Sequence, residues 1–427
     1  MIRIELHHSF ARTLLIVLEI AVFLVLSLRI GRTFMASRAA EGVGEAELNR
    51  AIELDPGNAE YHLRLARLAL YSVANASPEL AQEQLSRAAE LSPRNVQVWL
   101  ELSAAHGFQG DTEKAESYLR RADMLAPRIP AIQWVVGNFF LLQGNTDQAF
   151  RHFRMTLGGS HKYDSILFRT AWKSSEDAAK ILAELIPYRT ETEFIYLYYL
   201  LGENKLPEAL VVWKRITASP QNFDAMQAAG FLNRLLADRR PADAAQVWND
   251  LRDRGLIKPT YQPAPQNLMI NGGFEEDLFN AGFDWRIAKV EGAQAIVHGD
   301  TFHSPSHSMR VAFDGKTNLN FAHVYQVVRV EPNQQYRLQG YLKTDRITTD
   351  SGVRLGVQDS YDPAKLLVFS ESYTGTTPSW SQVTLDFKSG PTTELIIVSL
   401  VRQPSKKFDN LIAGTAWLDD VSLTPVP

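Results

Sequence analysis

Arg354 and Gln358 occupy alternate positions of the stretch Val353–Asp359, opposite an apolar set of Val353, Leu355 and Val357. A guanidinium and an amide on the same face are suited to paired hydrogen bonds with adjacent hydroxyls, and a buried face would have no use for them. A solvated outer face has the same pattern, so the chemistry needs planar partners. Tyr341 and Arg337 lie on the polar side of a neighbouring alternating stretch, with Trp285, Tyr325, Tyr361 and Tyr373 near in sequence. Catalytic patterns are absent: there is no Gly-x-Ser-x-Gly and no His-Glu-x-x-His. Gly315-Lys316-Thr317 lacks the first glycine of a phosphate loop, the position five residues earlier being Arg310. His298, His303 and His307 read as ordinary histidines of a Ser/Pro loop, and the Glu275/Glu276 pair has no second carboxylate pair placed opposite it as a glycosidase would need. The chain is read as a non-enzyme.

These residues must be positioned by β-strands. Tyr336, Leu338, Gly340 and Leu342 alternate with Gln335, Arg337, Gln339, Tyr341 and Lys343, and Val383, Leu385 and Phe387 alternate with Gln382, Thr384 and Asp386. A period of two sends one set to a core and the other outward. Residues 267–427 are therefore expected to be all-β.

With 427 residues, the chain is too long for one core. Hydrophobic residues make up 45% and charged residues 22%, ordinary for a folded protein, and a net charge of -4 gives no reason to expect nucleic acid as a partner. The absence of cysteine excludes disulfides, thiolate metal sites and a lipidated cysteine, but not export. Residues 13–30 contain the run TLLIVLEIAVFLVLSL, interrupted only by Glu19, and are expected to be a transmembrane anchor behind a short flank, 1–12. A cleaved signal peptide is the rival reading, although Phe34-Met35-Ala36-Ser37 makes a poor cleavage site. Arg3 and Arg12 are balanced by Arg29, Arg32 and Arg38. If a glycan is the ligand, Met1 to Arg12 face the cytoplasm and the bulk of the chain lies outside it, in a periplasmic or extracellular space.

Residues 41–256 repeat. Leu54-Asp-Pro56, Leu91-Ser-Pro93 and Leu125-Ala-Pro127 recur at spacings of 37 and 34, the extra residues falling in a polar insertion, 71–77. Trp99, Leu102, Gly110-Asp111, Ala115, Leu119, Ala122 and Pro127 follow the order of a tetratricopeptide repeat, which this region resembles. Ala209/Trp213 and Ala244/Trp248 continue it at a spacing of 35, with weaker helices in 163–203. The resemblance implies an all-α solenoid with a concave surface for a protein partner; a solenoid that only spaces or oligomerises is the other reading. Pro259, Pro263 and Pro265 then mark 257–266 as an extended, semi-rigid linker.

The β region carries NLMINGGFE at 267–275, Trp285, SHSMRV at 306–311, the strand at 336–343, Trp380, and WLDDVSL at 417–423, in that order. Together these resemble the carbohydrate-binding modules of families 4 and 9, within the galactose-binding-like superfamily, and the resemblance covers the whole domain. It implies a jelly-roll sandwich and a polysaccharide partner. The candidate sugar-binding set is read from the polar strand faces and the aromatics near them, not carried over from the family: Tyr341, Arg354, Gln358, Trp285 and Tyr373, with a packing role as the other reading of Trp285. The resemblance also implies a structural Ca2+ between the first and last strands, held by Glu275 with Asp419 or Asp420. Asp419 is preferred because alternation puts it with Val421 and Leu423. The expected protein is a multidomain chain of transmembrane helix, tetratricopeptide-like solenoid and all-β sandwich, acting as a membrane-anchored scaffold. The alternative is an assembly factor whose sandwich binds no sugar.

Overall fold

The computed structural model describes residues 9–72, 76–264 and 266–426, with side chains of the first helix described from Arg12 onward. Residues 1–8 of the expected flank, 73–75 of the insertion, and Pro265 of the linker lie outside the described residues. The chain forms two compact units, 1–187 and 188–427.

In the first unit, α1 (Ser9–Ala39) is one continuous helix of 31 residues. Its part Arg12–Ala39 is long and apolar enough to cross a membrane, and none of that apolar window is buried, with Phe23 at 68% exposure. A signal sequence passes the same length and composition test. The helix outlasts the expected 13–30 segment because its last turn has something to pack on. Ala36 and Ala40 are buried with Ala51 and Tyr61, on α2 (Glu45–Leu54) and α3 (Ala59–Tyr71). From there the chain runs in antiparallel pairs: α3 with α4 (Pro78–Leu91), α5 (Val96–Phe108) with α6 (Thr112–Leu125), and α7 (Pro130–Leu142) with α8 (Thr146–Leu157). Ala81, Ala88, Ala115, Ala122 and Ala149 are fully buried, so the paired helices approach closely. Gly110 and Gly144 take φ of +80° and +73° in the tight turns. Asn58, Asn95, Asp111 and Asn145 cap the following helices by accepting backbone N–H groups. After α9 (Asp164–Ser175) the pattern degenerates into a short helix, α10 (Ala178–Lys180), and a wide π-type turn, Ile181–Leu185.

The second unit joins helices and sheets. Here α11 (Thr190–Gly202) pairs with α12 (Leu206–Ala218), and α13 (Ala229–Ala237) with α14 (Pro241–Asp253). Ten strands follow: β1 (Arg286–Ile287), β2 (Ala293–His298), β3 (Ser308–Asp314), β4 (Phe321–Arg329), β5 (Gln335–Asp345), β6 (Arg354–Asp359), β7 (Leu367–Phe369), β8 (Ser381–Lys388), β9 (Leu395–Arg402) and β10 (Ala413–Val426). They build two antiparallel five-stranded sheets, ordered β1-β4-β9-β6-β7 and β2-β3-β10-β5-β8. Their facing sides bury Met309, Val311, Leu338, Leu342, Leu355, Val357, Val398, Leu400, Leu418 and Leu423 in one core. This is a β-sandwich, as alternation requires.

The 257–266 segment departs from the expected spacer. Ile257 and Tyr261 are buried, and the chain turns back at Tyr261, whose N–H donates to the Lys258 carbonyl. The Trp248 indole of α14 donates to the Tyr261 carbonyl at 2.8 Å and meets Phe279 and Phe283 edge-on at 5.4 and 6.0 Å. Gly282 is required there: its φ is +60°, and a Cβ would sit 2.6 Å from the Trp248 ring. Tyr361 donates to the Leu236 carbonyl at 2.7 Å, and Arg239 lies 5.1 Å over the Tyr361 ring. Prolines alone imply extension, but a buried aromatic seam outweighs that local preference. The seam leaves a mostly apolar cavity of about 430 Å³ lined by Trp248, Phe283, Val328 and Tyr336.

Trp248→Ala is expected to destabilise this unit by about 3–5 kcal/mol, the usual range for emptying a buried indole site, read by urea denaturation. A fragment starting at 266 should melt below one starting at 188. Equal midpoints would show that the helices do not support the sandwich.

Candidate functional site

Three surfaces carry the predicted residues. The first is an open cleft of about 380 Å³ on the outward side of the β1-β4-β9-β6-β7 sheet, lined among others by Asn320, Tyr325, Gln358, Leu367, Phe369, Ser399 and Gln403. Along β6 the core takes Leu355 and Val357, which leaves Arg354, Gly356 and Gln358 for the cleft side. Gly356 forms its floor, since a Cβ there would lie 2.7 Å from Val401 and 3.1 Å from Phe369. Arg354 extends over the Phe369 ring at 5.9 Å and Arg286 over Tyr325 at 5.8 Å. The cleft thus offers two aromatic rings, each beside a cation, with amides from Gln358, Gln403 and Asn320.

One end of the cleft depends on a buried charge. Arg402 has no exposure, and among the described residues no carboxylate lies within ion-pair distance, although the Asp350 charge acts on it from further away. Its guanidinium donates to the Asn318 amide oxygen and the Leu319 carbonyl at 2.7 Å, to the Asn410 carbonyl at 3.0 Å and to the Ser351 carbonyl at 3.2 Å. Burial lowers its pKa. Carbonyl and amide oxygens take the role of a counter-ion, and three loops are thereby held beside Asn320 and Gln403.

The predicted sugar-binding set does not converge. Arg354 and Gln358 face the cleft. Trp285 is corrected: it is fully buried, packs on Phe274 at 5.0 Å and donates to the Asn271 carbonyl, so its ring has no free face for a ligand. Tyr373 packs partly buried against the core beside Val353. Tyr341 lies on β5 of the other sheet, with His303 stacked on it at 3.6 Å. Arg337 is engaged by both carboxylate oxygens of Asp386 at 2.7 and 2.8 Å. The alternation of β6 was legible, and an isolated glycine inside a strand pattern was a usable signal for Gly356. Phe369, Leu367, Asn320 and Gln403 carry no such signal.

The second surface is the corner expected to hold calcium. Glu275, Asp419 and Asp420 do meet there, on the loop 303–307. Glu275 Oε1 accepts the backbone N–H groups of Ser306 and His307 at 3.0 and 2.8 Å, and Oε2 the Ser306 hydroxyl at 2.5 Å, with His307 Nδ1 at 3.1 Å. Asp419 Oδ2 accepts from the His303 and Ser304 N–H groups at 2.7 and 3.2 Å. Asp420 Oδ2 accepts the Ser304 hydroxyl at 2.7 Å and lies 2.6 Å from His303 Nδ1. Both aspartates reach the loop because β10 bulges between Asp419 and Ser422, with Asp420 at φ +45°. As arranged, these oxygens answer N–H and O–H donors, and among the described residues no group of three or more His, Asp or Glu could hold a metal ion. The residues in this arrangement do not form a calcium cage.

The electrostatics of this corner split. Burial raises the Glu275 pKa, but the Ser306 hydroxyl, His307 and the two N–H groups outweigh it and hold the carboxyl at about 2. Asp419 is pushed up to about 6 by burial, against three backbone N–H donors.

The third surface lies on the helices. Tyr71, Phe108 and Leu142 are each the last residue of a 13-residue helix, α3, α5 and α7. They are exposed at 53%, 66% and 86%, and the Tyr71 and Phe108 rings meet edge-on at 6.2 Å. Repeat geometry thus lines up exposed apolar side chains from successive repeats.

The geometry defines a class: a chain of helical hairpins followed by a β-sandwich of two antiparallel five-stranded sheets. No family model and no curated protein matches the chain. Solved structures resembling parts of it include the enzymatically active domain of bacteriophage CBA120 tailspike protein 4, at 13% identity and TM-score 0.28, covering 38% of this chain and 22% of that one. The CBM22-1 xylan-binding domain of Paenibacillus barcinonensis Xyn10C matches at 14% identity and TM-score 0.26, covering 36% of this chain and 92% of that domain. For the helical part, Pseudomonas aeruginosa pilF matches at 16% identity and TM-score 0.25, covering 53% of this chain and 91% of that one.

With its folded pKa near 2 and an ordinary value of 4.5, Glu275 binds fewer protons folded than unfolded between those limits. Its contribution to stability is complete above about pH 5 and is lost as pH falls toward 2. The melting-temperature gap between the wild-type chain and Glu275→Gln should therefore be widest above pH 5 and close toward pH 2. A gap independent of pH would show that the charge plays no part.

Proposed function

We propose that this chain is a membrane-anchored, non-catalytic scaffold that binds a polysaccharide in the β6–β9 cleft and a protein along its helices. The observation that carries the reading is the cleft, where aromatic rings and amides line one open groove and an arginine lies over each ring. A sugar presents flat C–H faces and adjacent hydroxyls, which match rings such as Tyr325 and Phe369 and planar donors such as Arg354 and Gln358. The exposed row Tyr71, Phe108 and Leu142 supports a partner that contributes apolar side chains. The uncleaved-anchor reading is supported by Ala36 and Ala40, because processing near Ala36 would remove a residue packed beneath the first repeat.

Affinity electrophoresis of the full chain across a panel of neutral polysaccharides tests the cleft. Gln358→Ala and Phe369→Ala should each weaken retardation about 5–10-fold, as expected for one lost polar or stacking contact of about 1–1.4 kcal/mol. No retardation by any glycan would leave the sandwich as an assembly module.

Calcium belongs to this proposal in a narrower form, since an ion can bind at the 303–307 corner only by displacing Ser306 and His307 from Glu275. If it does, millimolar calcium should raise the melting temperature and a chelator reverse the rise; an unchanged midpoint leaves the loop as the carboxylates' partner.

The proposed orientation puts both units outside the cytoplasm. A reporter active only after export, fused after Pro427, should be active; a silent reporter would reverse the topology.

A further inference from the structure

The outward face of the other sheet holds a second arrangement, separate from the cleft. On β3 the core takes Met309 and Val311, on β10 Ala416 and Leu418, and on β5 Leu342. Arg310, Trp417 and Lys343 are left on the outward side. The register sets them in one line: Trp417 lies opposite Arg310 on β3 and opposite Lys343 on β5, and Ile296 of β2 lies opposite Arg310. With neighbouring strands about 4.8 Å apart, the backbone positions of the two cationic residues stand about 10 Å apart on either side of an indole. Beside this row, Tyr341 is stacked under His303, and Trp380 meets His303 edge-on at 5.9 Å.

Two cations on this face stand outside its ion pairs. Asp345 is taken by Arg346 at 3.1 Å and Asp386 by Arg337 at 2.7 Å, while neither Arg310 nor Lys343 has an ion-pair partner among the described residues. Trp417 Nε1 is buried without a hydrogen-bond partner, so a ligand meets this residue through its ring. A half-buried indole between two free cations fits a sugar ring on the indole with acidic groups on its neighbours. A neutral glycan would leave both cations unanswered. A bilayer is a poorer match, because membrane binding needs several protruding apolar side chains and this row offers one half-buried indole between two cations.

We propose that this face is a second glycan site, for an acidic polysaccharide, with Trp417 as the platform and Arg310 and Lys343 as the anion contacts. The proposal is independent of the cleft. Immobilised polygalacturonate serves as the probe for the full chain in detergent micelles, with dextran as the neutral control. Binding to polygalacturonate and not to dextran is expected, weakening as salt is raised. Arg310→Gln with Lys343→Gln should weaken it at least tenfold with an unchanged melting temperature, and Trp417→Tyr should keep part of it. Gln358→Ala should leave it intact, which separates this site from the cleft. Wild-type binding that survives the double substitution would overturn the proposal, as would no binding to polygalacturonate, alginate or heparin. Loss on double substitution of binding to phosphatidylglycerol vesicles or to an oligonucleotide, without glycan binding by the wild type, would reassign the face.

Discussion

The seating of Trp248 against the loop 279–283 is the contact on which the second unit is organised. One indole satisfies its N–H on the Tyr261 carbonyl and places its ring edges against Phe279 and Phe283. Because Gly282 has no side chain, the loop comes close enough to cover it. The result is a helical array whose last pair buries its apolar side on a β-sandwich instead of a further repeat. Terminal repeats have an apolar face that must be covered, and here the sandwich provides the cover. The sandwich is a structural partner of the helices before it is anything else.

Within the sandwich, alternation along each strand divides the side chains between one shared core and two outward faces, and the two faces differ chemically. The cleft is concave, with a glycine floor, and its polar groups are amides and arginines that lie against rings. The opposite face sets cations on both sides of an indole. The burial of Arg402 matters to the first of these because three loops take their positions from one guanidinium. Its charge is balanced by carbonyl and amide dipoles, an arrangement that would fail if any one loop moved away.

The loop 303–307 shows how the domain closes its remaining edge. Three carboxylates from the opening turn and the last strand converge on it, and its N–H and hydroxyl groups answer them. Glu275 is held strongly ionised while Asp419, more deeply buried, is pushed the other way. The two shifts have opposite signs because one carboxylate is partly solvated and fully bonded, whereas the other is removed from water beside a like charge.

Much of the fold was legible in the sequence, for physical reasons. The spacings of 37 and 34, the buried alanines and the turn glycines dictate helical hairpins because helix packing depends on side-chain size at fixed intervals. A period of two dictates a sandwich because a strand has only two faces. The same alternation put Arg354 and Gln358 outward, whereas the meeting of Glu275, Asp419 and Asp420 was implied only by the family resemblance, and a bulge in β10 lets both aspartates reach the corner. What alternation could not supply was which outward residues share a sheet. Tyr341 and Gln358 are both outward-facing, yet strand order places them on opposite sheets of the sandwich. Trp285 looked like a platform because an aromatic residue has no marker for burial in a loop; only the packing of Phe274 decided it. The prolines of 257–266 implied extension, and the long-range demand to bury Trp248 overrode them. Periodicity is a property of the local chain and can be read from it, whereas strand order, loop closure and seams arise from contacts between residues far apart in sequence.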